Sequence, residues 1–297
     1  VGTFAVGITL KTDRLPALGE TLHGNGLAVG YGGKGSNQAV ACARLGSRVE
    51  LVTCLGTDSF GAMARALYET EGVGTRWIGA SSRFPTGLGA ILVTPDGRNA
   101  IVVDIGANRE MDGAFMDGRT AVLDSAAVLL TVTEAPIQVV ARAVELACAK
   151  KIPVVLNPAP AVPLSAEILS RVSVLTPNAG ELKTLTGRGV DSVESAAGAA
   201  RLLVSQGTAA VIVTMGESGA LLCTEEEVTH LPAPRVRVVD TTGAGDAFSA
   251  GIAVGLSEGM PLREAARFAV CCGSLACTAA EVVPSLPYRT QVQEMLR

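Results

Sequence analysis

Residues Asp240-Thr241-Thr242-Gly243-Ala244-Gly245-Asp246 bring together the residue types needed to hold a phosphate and to move a proton. Glycines flanking a small residue let the backbone turn tightly and aim successive N–H groups into one concavity, which the N-terminus of a following helix extends. The sequence then turns helical and apolar through Ile252 to Leu256. A carboxylate inside an anion hole repels the anion the hole attracts, so Asp246 needs a reason to be there. Taking the proton of a hydroxyl that attacks a transferring phosphoryl group is such a reason. Read alone, the segment is equally a strand–turn–helix joint with Asp246 as a first-turn carboxylate favoured by the helix dipole, and short glycine motifs recur by chance.

A second cluster, Gly30-Tyr31-Gly32-Gly33-Lys34-Gly35-Ser36-Asn37-Gln38, leads into the helical stretch Ala39–Leu45. It frees the backbone at a helix start and projects a lysine and an asparagine from it; in isolation a hairpin or plain helix entry explains it as well. Two kinds of nucleotide site fail on spelling. A Walker loop needs GxxxxGK followed by Ser or Thr, whereas Lys34 is followed by Gly35. A dinucleotide fingerprint needs GxGxxG, and after Gly243-Ala244-Gly245 the sixth position is Phe248.

The elements that must position these residues alternate. Short apolar runs at Val49–Cys54, Ala127–Leu130, Val154–Asn157, Val172–Thr176 and Ala210–Thr214 read as strands. Helical patterns at Ser36–Leu45, Gly61–Glu71, Ile137–Lys150, Leu164–Ser170 and Ser192–Gln206 lie between them. That order predicts an α/β fold: a doubly wound, mostly parallel sheet with helices on both faces and ligands at the carboxyl ends of the strands. Ile8–Gly30 and Thr86–Gly106 interrupt the pattern with short strands and turns, Pro95-Asp96-Gly97-Arg98 reading as a hairpin tip. Two such excursions can pair into one small sheet that covers a site. There is no internal repeat or long linker to suggest independently folding halves.

Composition narrows the function classes. With 48% hydrophobic and 18% charged residues over 297 positions, a large core is available. A net charge of −4, without a long basic run, gives no electrostatic support for a nucleic-acid or membrane-surface partner. Aromatics are only 3%, which limits stacking platforms for single strands. The longest uncharged helical run, Phe268 to Ala280, is too short to span a bilayer, and no leader peptide is recognisable. The first residues read as part of a strand and lack a starting methionine, so further residues are expected before Val1. The seven cysteines are odd in number, lie among apolar neighbours and form no CxxC pair, which predicts reduced core residues in a cytoplasmic protein.

The two glycine clusters, in this order and at this separation, resemble the signatures of the ribokinase-like (PfkB) family of carbohydrate and nucleoside kinases. Leu156-Asn157-Pro158-Ala159-Pro160-Ala161, Thr176-Pro177-Asn178 and Thr214-Met215-Gly216 also match stretches typical of ribokinases, so the resemblance covers nearly the whole chain. It implies a three-layer core from residues 1–7, 31–85 and 107–297 and a β lid from 8–30 and 86–106. It implies an ATP-dependent kinase that phosphorylates a hydroxymethyl group of a sugar-like substrate, with Asp246 as general base. Gly243, Ala244 and Gly245 would offer N–H groups to the charge developing on the phosphate. Phosphoryl transfer has a loose transition state, so positioning and charge stabilisation carry most of the catalysis.

By the same resemblance, Asn178 and Glu181 would organise Mg²⁺, largely through water, which suits an ion that keeps several waters. Thr214 and Gly216, with Asn178, would line the nucleotide. Gly33, Lys34, Asn37 and Glu134 would contact the sugar. Asp240, Thr242 and Ser285 stand where the family holds a monovalent cation, K⁺ being the candidate. Glu181 by itself is equally a helix-entry carboxylate, and Glu134, closing an apolar strand, needs a partner if buried.

Two departures bear on specificity. Ribokinases carry an asparagine and, two residues on, an aspartate at the end of the first strand, where this chain has Ala5 and Gly7. Neither side chain accepts a hydrogen bond, and a lost charged acceptor forfeits about 1.5–3 kcal/mol per bond, which argues against plain ribose. Near the other end, Cys277-Thr278-Ala279-Ala280-Glu281-Val282 replaces a Thr-Arg-x-Gly-Ala type segment, with Glu281 where glycine is usual. K⁺ activation is therefore a separate expectation. A nucleoside kinase and a non-catalytic sugar-binding relative are the competing functions; intact Asp246, Asn178 and Glu181 weigh against the latter, and scarce aromatics against the former. A homodimer through the edges of the lid is the candidate assembly.

Overall fold

The computed structural model describes residues 1–297. The chain opens with strands β1 (Ala5–Lys11) and β2 (Gly26–Gly32), then helix α1 (Lys34–Arg44). Short strands β3 (Val49–Glu50), β4 (Cys54–Gly56), β5 (Val73–Gly74) and β6 (Gly79–Ser81) follow, with α2 (Ser59–Glu71) between β4 and β5. A hairpin of β7 (Gly87–Val93) and β8 (Asn99–Asp104) comes next, then the short helix α3 (Gly113–Asp117). The remaining chain alternates as β9 (Leu129–Val132), α4 (Ile137–Ala149), β10 (Val154–Asn157), α5 (Ala166–Leu169), β11 (Val174–Leu175), α6 (Ala179–Thr186), α7 (Val193–Ser205) and β12 (Ala210–Thr214). A β13 (Ala220–Thr224), β14 (Val228–Leu231) meander and helices α8 (Ala244–Ser257), α9 (Leu262–Ala276), α10 (Val282–Ser285) and α11 (Arg289–Met295) complete it.

The main sheet has the order β14-β13-β12-β11-β10-β9; β9 to β12 run parallel, β13 and β14 antiparallel. β12 is an unbroken apolar run, Ala-Val-Ile-Val before Thr214, because a central parallel strand is covered on both sides. Alternation divides its neighbours between two cores. Val155, Val174 and Ile212 join Ala247, Ile252 and Phe268 of α8 and α9. Leu156, Leu175, Val211 and Val213 join Val140 and Val144 of α4 and Leu203 of α7. The fold is thus three layers, α/β/α, as the strand–helix alternation predicts. Beyond β9 the backbone ladder continues through the N-terminal residues: the Val1 amine donates to Leu130 O at 2.8 Å and Gly2 N–H to Val52 O at 3.1 Å.

A separate four-stranded sheet has the order β2-β1-β7-β8. β1 is antiparallel to β2 and parallel to β7, so stretches far apart in sequence share one sheet. The turn between β7 and β8 is closed by Gly97 N–H on Thr94 O and Thr94 N–H on Arg98 O, both 2.9 Å, at the tip read from Pro95–Arg98. One face of this sheet is apolar and open, with Leu27, Val29 and Val102 at 68%, 48% and 74% exposure. No helix is long and apolar enough to cross a membrane.

The structure corrects several sequence expectations. Val49–Cys54 is not one strand: β3 pairs with β5, β4 with β6, and the ladder changes partner between them. The strand expected at Ala127–Leu130 is Leu129–Val132, because its ladder begins where β10 begins; Leu129 N–H meets Pro153 O at 2.9 Å. Leu164–Ser170 shortens to one turn, starting after the cap at Ser165. Ala5–Gly7, grouped with the core by sequence, form the first half of β1 in the small sheet. Cys148 is exposed rather than a core residue; all seven thiols are free.

Candidate active site

The carboxyl ends of β9 to β12 release Glu134, Asn157, Asn178 and Thr214, and the N-termini of α1 and α8 face them through side-chain hydrogen bonds. Helix α8 is capped by Gly243, whose φ of +86° strains any other residue and where an added Cβ would come within 2.8 Å of the Val282 side chain. Asp246 lies in its first turn and is 4% exposed. Asn37 Nδ2 donates to its Oδ2 at 2.9 Å and Gln38 Nε2 to its Oδ1 at 3.1 Å. Burial pushes the Asp246 carboxyl above the usual range; the Lys34 charge and the two amide donors oppose that, and Glu134 reinforces it.

Gly33 caps α1 with φ +84°, an added Cβ there meeting Phe4 Cα at 2.6 Å. That close approach delivers Lys34, whose backbone N–H donates to Glu134 Oε2 at 2.7 Å, the same oxygen that accepts the Thr3 hydroxyl. Glu134 therefore has the partners its position requires. Asn37 Oδ1 is buried and has no partner, an unusual state for a native polar atom and one that a ligand donor would relieve.

Asn178 and Glu181 form a reciprocal capping box at the start of α6, each backbone N–H donating to the other's side chain at 2.8 Å. The helix-entry reading of Glu181 is thus correct as far as it goes. The box consumes Oε2, and Glu181 still interacts electrostatically with Lys34 and Asp246; burial raises its pKa, the Asn178 N–H and Lys34 opposing. No group of three or more His, Cys, Asp or Glu side chains forms in this structure, so a divalent ion here would rest on one carboxylate, one amide and water, a set that suits Mg²⁺. A β-bridge joins Asn178 to Thr214, whose N–H donates to Pro177 O at 2.9 Å, and Gly216 follows with φ +58°.

Asp240 accepts from Thr242 N–H at 2.9 Å and the Thr242 hydroxyl at 2.7 Å. These donors, with the N–H groups of Glu281 and Thr241, hold it below the usual carboxylate range against burial. Val239 N–H bonds Cys277 O at 2.8 Å, so the stretch after α9 lies beside the loop. Within it Glu281 has φ +65°, ψ +155°, a region that is essentially glycine-only. Ser285 gives its hydroxyl to Val282 O at 2.8 Å.

Sequence reading missed Gln38, Asn157 and Thr3 as parts of this constellation. The available signal was three consecutive polar residues, Ser36-Asn37-Gln38, running straight into the apolar stretch Ala39–Ala43 of the same helix; all three are buried.

Residues 1–289 match the pfkB family carbohydrate kinase pattern. The chain is 36% identical to the ribokinase of Haemophilus influenzae over 94% of its length and 91% of that protein's. It is also 36% identical to the deoxyribokinase of Salmonella typhi, over 84% of its length and 81% of that protein's. The solved structure of Arabidopsis thaliana ribokinase complexed with ribose and ATP superposes with a TM-score of 0.95 at 30% identity, covering 100% of this chain and 97% of that one. Matched by pattern, by relatives and by fold, the chain belongs to the pfkB family and is a carbohydrate kinase.

Proposed function

We propose that the enzyme transfers the γ-phosphoryl group of ATP to a hydroxymethyl group of a sugar-like acceptor other than plain ribose, with Asp246 as general base. One observation carries the reading: a buried carboxylate in the first turn of α8, held by two amide donors, next to Lys34. As the acceptor oxygen attacks phosphorus and the bond to ADP breaks, Asp246 takes the hydroxyl proton. The N–H groups of Gly243, Ala244 and Gly245 meet the charge that develops on the phosphoryl oxygens. Asn178, Thr214 and Gly216 line the nucleotide, in keeping with the ATP and ADP complexes of the ribokinases of Arabidopsis thaliana and Cryptococcus neoformans. Mg²⁺ held through water by Asn178 and Glu181 would neutralise phosphate charge. Asp240, Thr242 and Ser285 would hold K⁺ beside the same loop.

The acceptor end supports the restriction on substrate. Alternation puts Ala5 and Gly7 on the side of Thr3, whose hydroxyl reaches Glu134, while Phe4 and Val6 point into the core. Gly7 pairs with Gly30 on one side and Gly89 on the other. None of the three has a positive φ; an added Cβ would meet nothing within 4 Å at Gly30 and only ordinary contacts, 3.7 and 3.9 Å, at Gly7 and Gly89. Neither backbone nor packing demands these glycines, and mid-strand glycine marks close approach of another molecule or backbone. A floor without side chains suits a bulkier or flatter ring than ribose; nucleosides are the second acceptor class for that reason. Gly33, Lys34, Asn37 and Glu134 take the polar edge, Asn37 Oδ1 accepting a substrate hydroxyl.

The small sheet serves as the lid, and its open apolar face supports a homodimer built through it. We take the working compartment to be the cytoplasm, supported by seven unpaired cysteines and the use of ATP. An ADP-release screen over sugars and nucleosides with Mg²⁺–ATP, run beside Asp246→Asn, tests the reading. Release that depends on both an acceptor and Asp246 supports it; release indifferent to Asp246 ends it.

A further inference from the structure

We propose that Gln38 is a positioning residue for Asp246, fixing the rotation of its carboxylate through a hydrogen-bond chain whose direction is set by a backbone carbonyl. The inference rests on the reading of Asp246 as the base. Thr176 C=O can only accept, and Asn157 Nδ2 donates to it at 3.0 Å. Asn157 must therefore turn Oδ1 away, where it meets Gln38 Nε2 at 3.1 Å. The amide group of Gln38 is thereby compelled to present its nitrogen, and its second N–H falls on Asp246 Oδ1 at 3.1 Å. No alternative flip of either amide satisfies both ends.

Asn37 takes the other oxygen, Oδ2, at 2.9 Å. With one N–H on each oxygen, the carboxylate cannot rotate without breaking a charge-assisted bond. The chain closes on itself: Thr176 Oγ1 and Ser249 Oγ lie 2.9 Å apart, and Ser249 is one turn beyond Asp246 on α8. Gln38 is 1% and Asn157 4% exposed, so solvent does not replace a lost member. The ring joins α1, α8 and the ends of β10 and β11, the elements that must agree for the base to face its acceptor.

The charged groups acting on Asp246 are Lys34 on α1, Glu134 after β9 and Glu181 on α6. Gln38 is neutral, so removing it changes hydrogen bonding and orientation while leaving the charge of the site intact. A residue that merely filled space would do neither.

The experiment compares Gln38→Met, close in volume and without the N–H groups, with the wild type. The Asp246 carboxyl is followed by carbon-13 NMR, its signal identified by its absence in Asp246→Asn. Loss of a donor to the charged form raises a carboxylate pKa, so the titration midpoint should rise by about one pH unit. With the best acceptor of the screen, kcat should fall about tenfold and its acid limb move to higher pH, KM for ATP staying put. An unchanged midpoint and kcat in folded Gln38→Met overturn the proposal. Asn157→Leu, which frees the Gln38 amide, should move the midpoint the same way by less; no movement counts against it. In the wild type itself, the Gln38 side-chain amide signals should shift as Asp246 titrates, and indifference to that midpoint overturns the proposal whatever the variants do. Full turnover by Asp246→Asn would instead remove the base reading and leave these titrations as they are.

Discussion

Around Asp246 the amides of Gln38 and Asn157 are buried and committed to partners, whereas across the small sheet Ala5, Gly7, Gly30 and Gly89 carry no side chain able to hydrogen-bond. The two regions bound the proposed site and are specified in opposite ways. At the α8 end a buried polar group left unpartnered costs about 1–3 kcal/mol, so each residue constrains the next and little can change. At the sheet end extra atoms meet open space or ordinary contact. On the proposed function, reaction chemistry would be held by mutual constraint and acceptor choice by what the floor lacks.

The largest expected effect is at the constrained end. Asp246→Asn should lower kcat on the order of 10²–10⁴-fold with ATP binding retained; steady-state kinetics beside ATP titration checks it, and a small loss would break the contrast at once. The open end should respond by gain. Ala5→Asn with Gly7→Asp should raise kcat/KM for D-ribose by about 10–100-fold, the worth of a single hydrogen bond to the added carboxylate at about 1.5–3 kcal/mol. If ribose turnover is already brisk in the parent, the floor is not the selector.

Glu181→Gln separates capping from ion binding, because Gln also closes a capping box. The Mg²⁺ concentration for half-maximal rate should rise about tenfold with the melting temperature unmoved; a parallel fall in stability would mean that the carboxylate serves the helix alone. Gly30→Val sharpens the comparison further. It should leave Tm unchanged or slightly raised, since mid-strand glycine costs roughly 0.5–1 kcal/mol, while raising KM for the acceptor several-fold. The smallest effect is expected at Glu281→Gly, which relieves a backbone conformation worth about 1–3 kcal/mol and should raise Tm by a few degrees in calorimetry.

The pH dependence carries the same asymmetry. As the proposed base, Asp246 must be ionised to accept a proton, and burial, its largest influence, raises its pKa while Lys34 and the amides of Asn37 and Gln38 lower it. Activity should therefore fall with decreasing pH from a point above the ordinary aspartate value, read from the acid limb of kcat/KM.

Much of the architecture was legible because it is local. β12 announces itself by β-branched residues, and the glycines of both clusters stand where φ is positive at Gly33 and Gly243. The break in the run expected at Val49–Cys54 was not, since nothing in an apolar run states when a ladder changes partner. Within the candidate site, Asp246 and Lys34 were proposed through motif spelling. Gln38 and Asn157 were not assigned a role because their connection spans distant parts of the chain and depends on which way two amides turn. Glu134 showed the converse: its need for a partner was readable, but Thr3 and the Lys34 backbone could be identified only once the chain was folded.

The parallel pairing of β1 with β7 has a consequence for assembly. β12 and β13 are joined by a tight connection and can zip together as soon as both exist, as can β1 and β2, whereas the β1–β7 ladder must wait until the chain has been made as far as Gly87. Non-local pairings of this kind form slowly, because loop closure costs entropy before the contacts reward it. The sheet proposed as the acceptor floor can therefore close once Gly87 has been made, whereas the Asp246 end, which ties Asn37 to a residue 209 positions further on, can be completed only when nearly the whole chain exists.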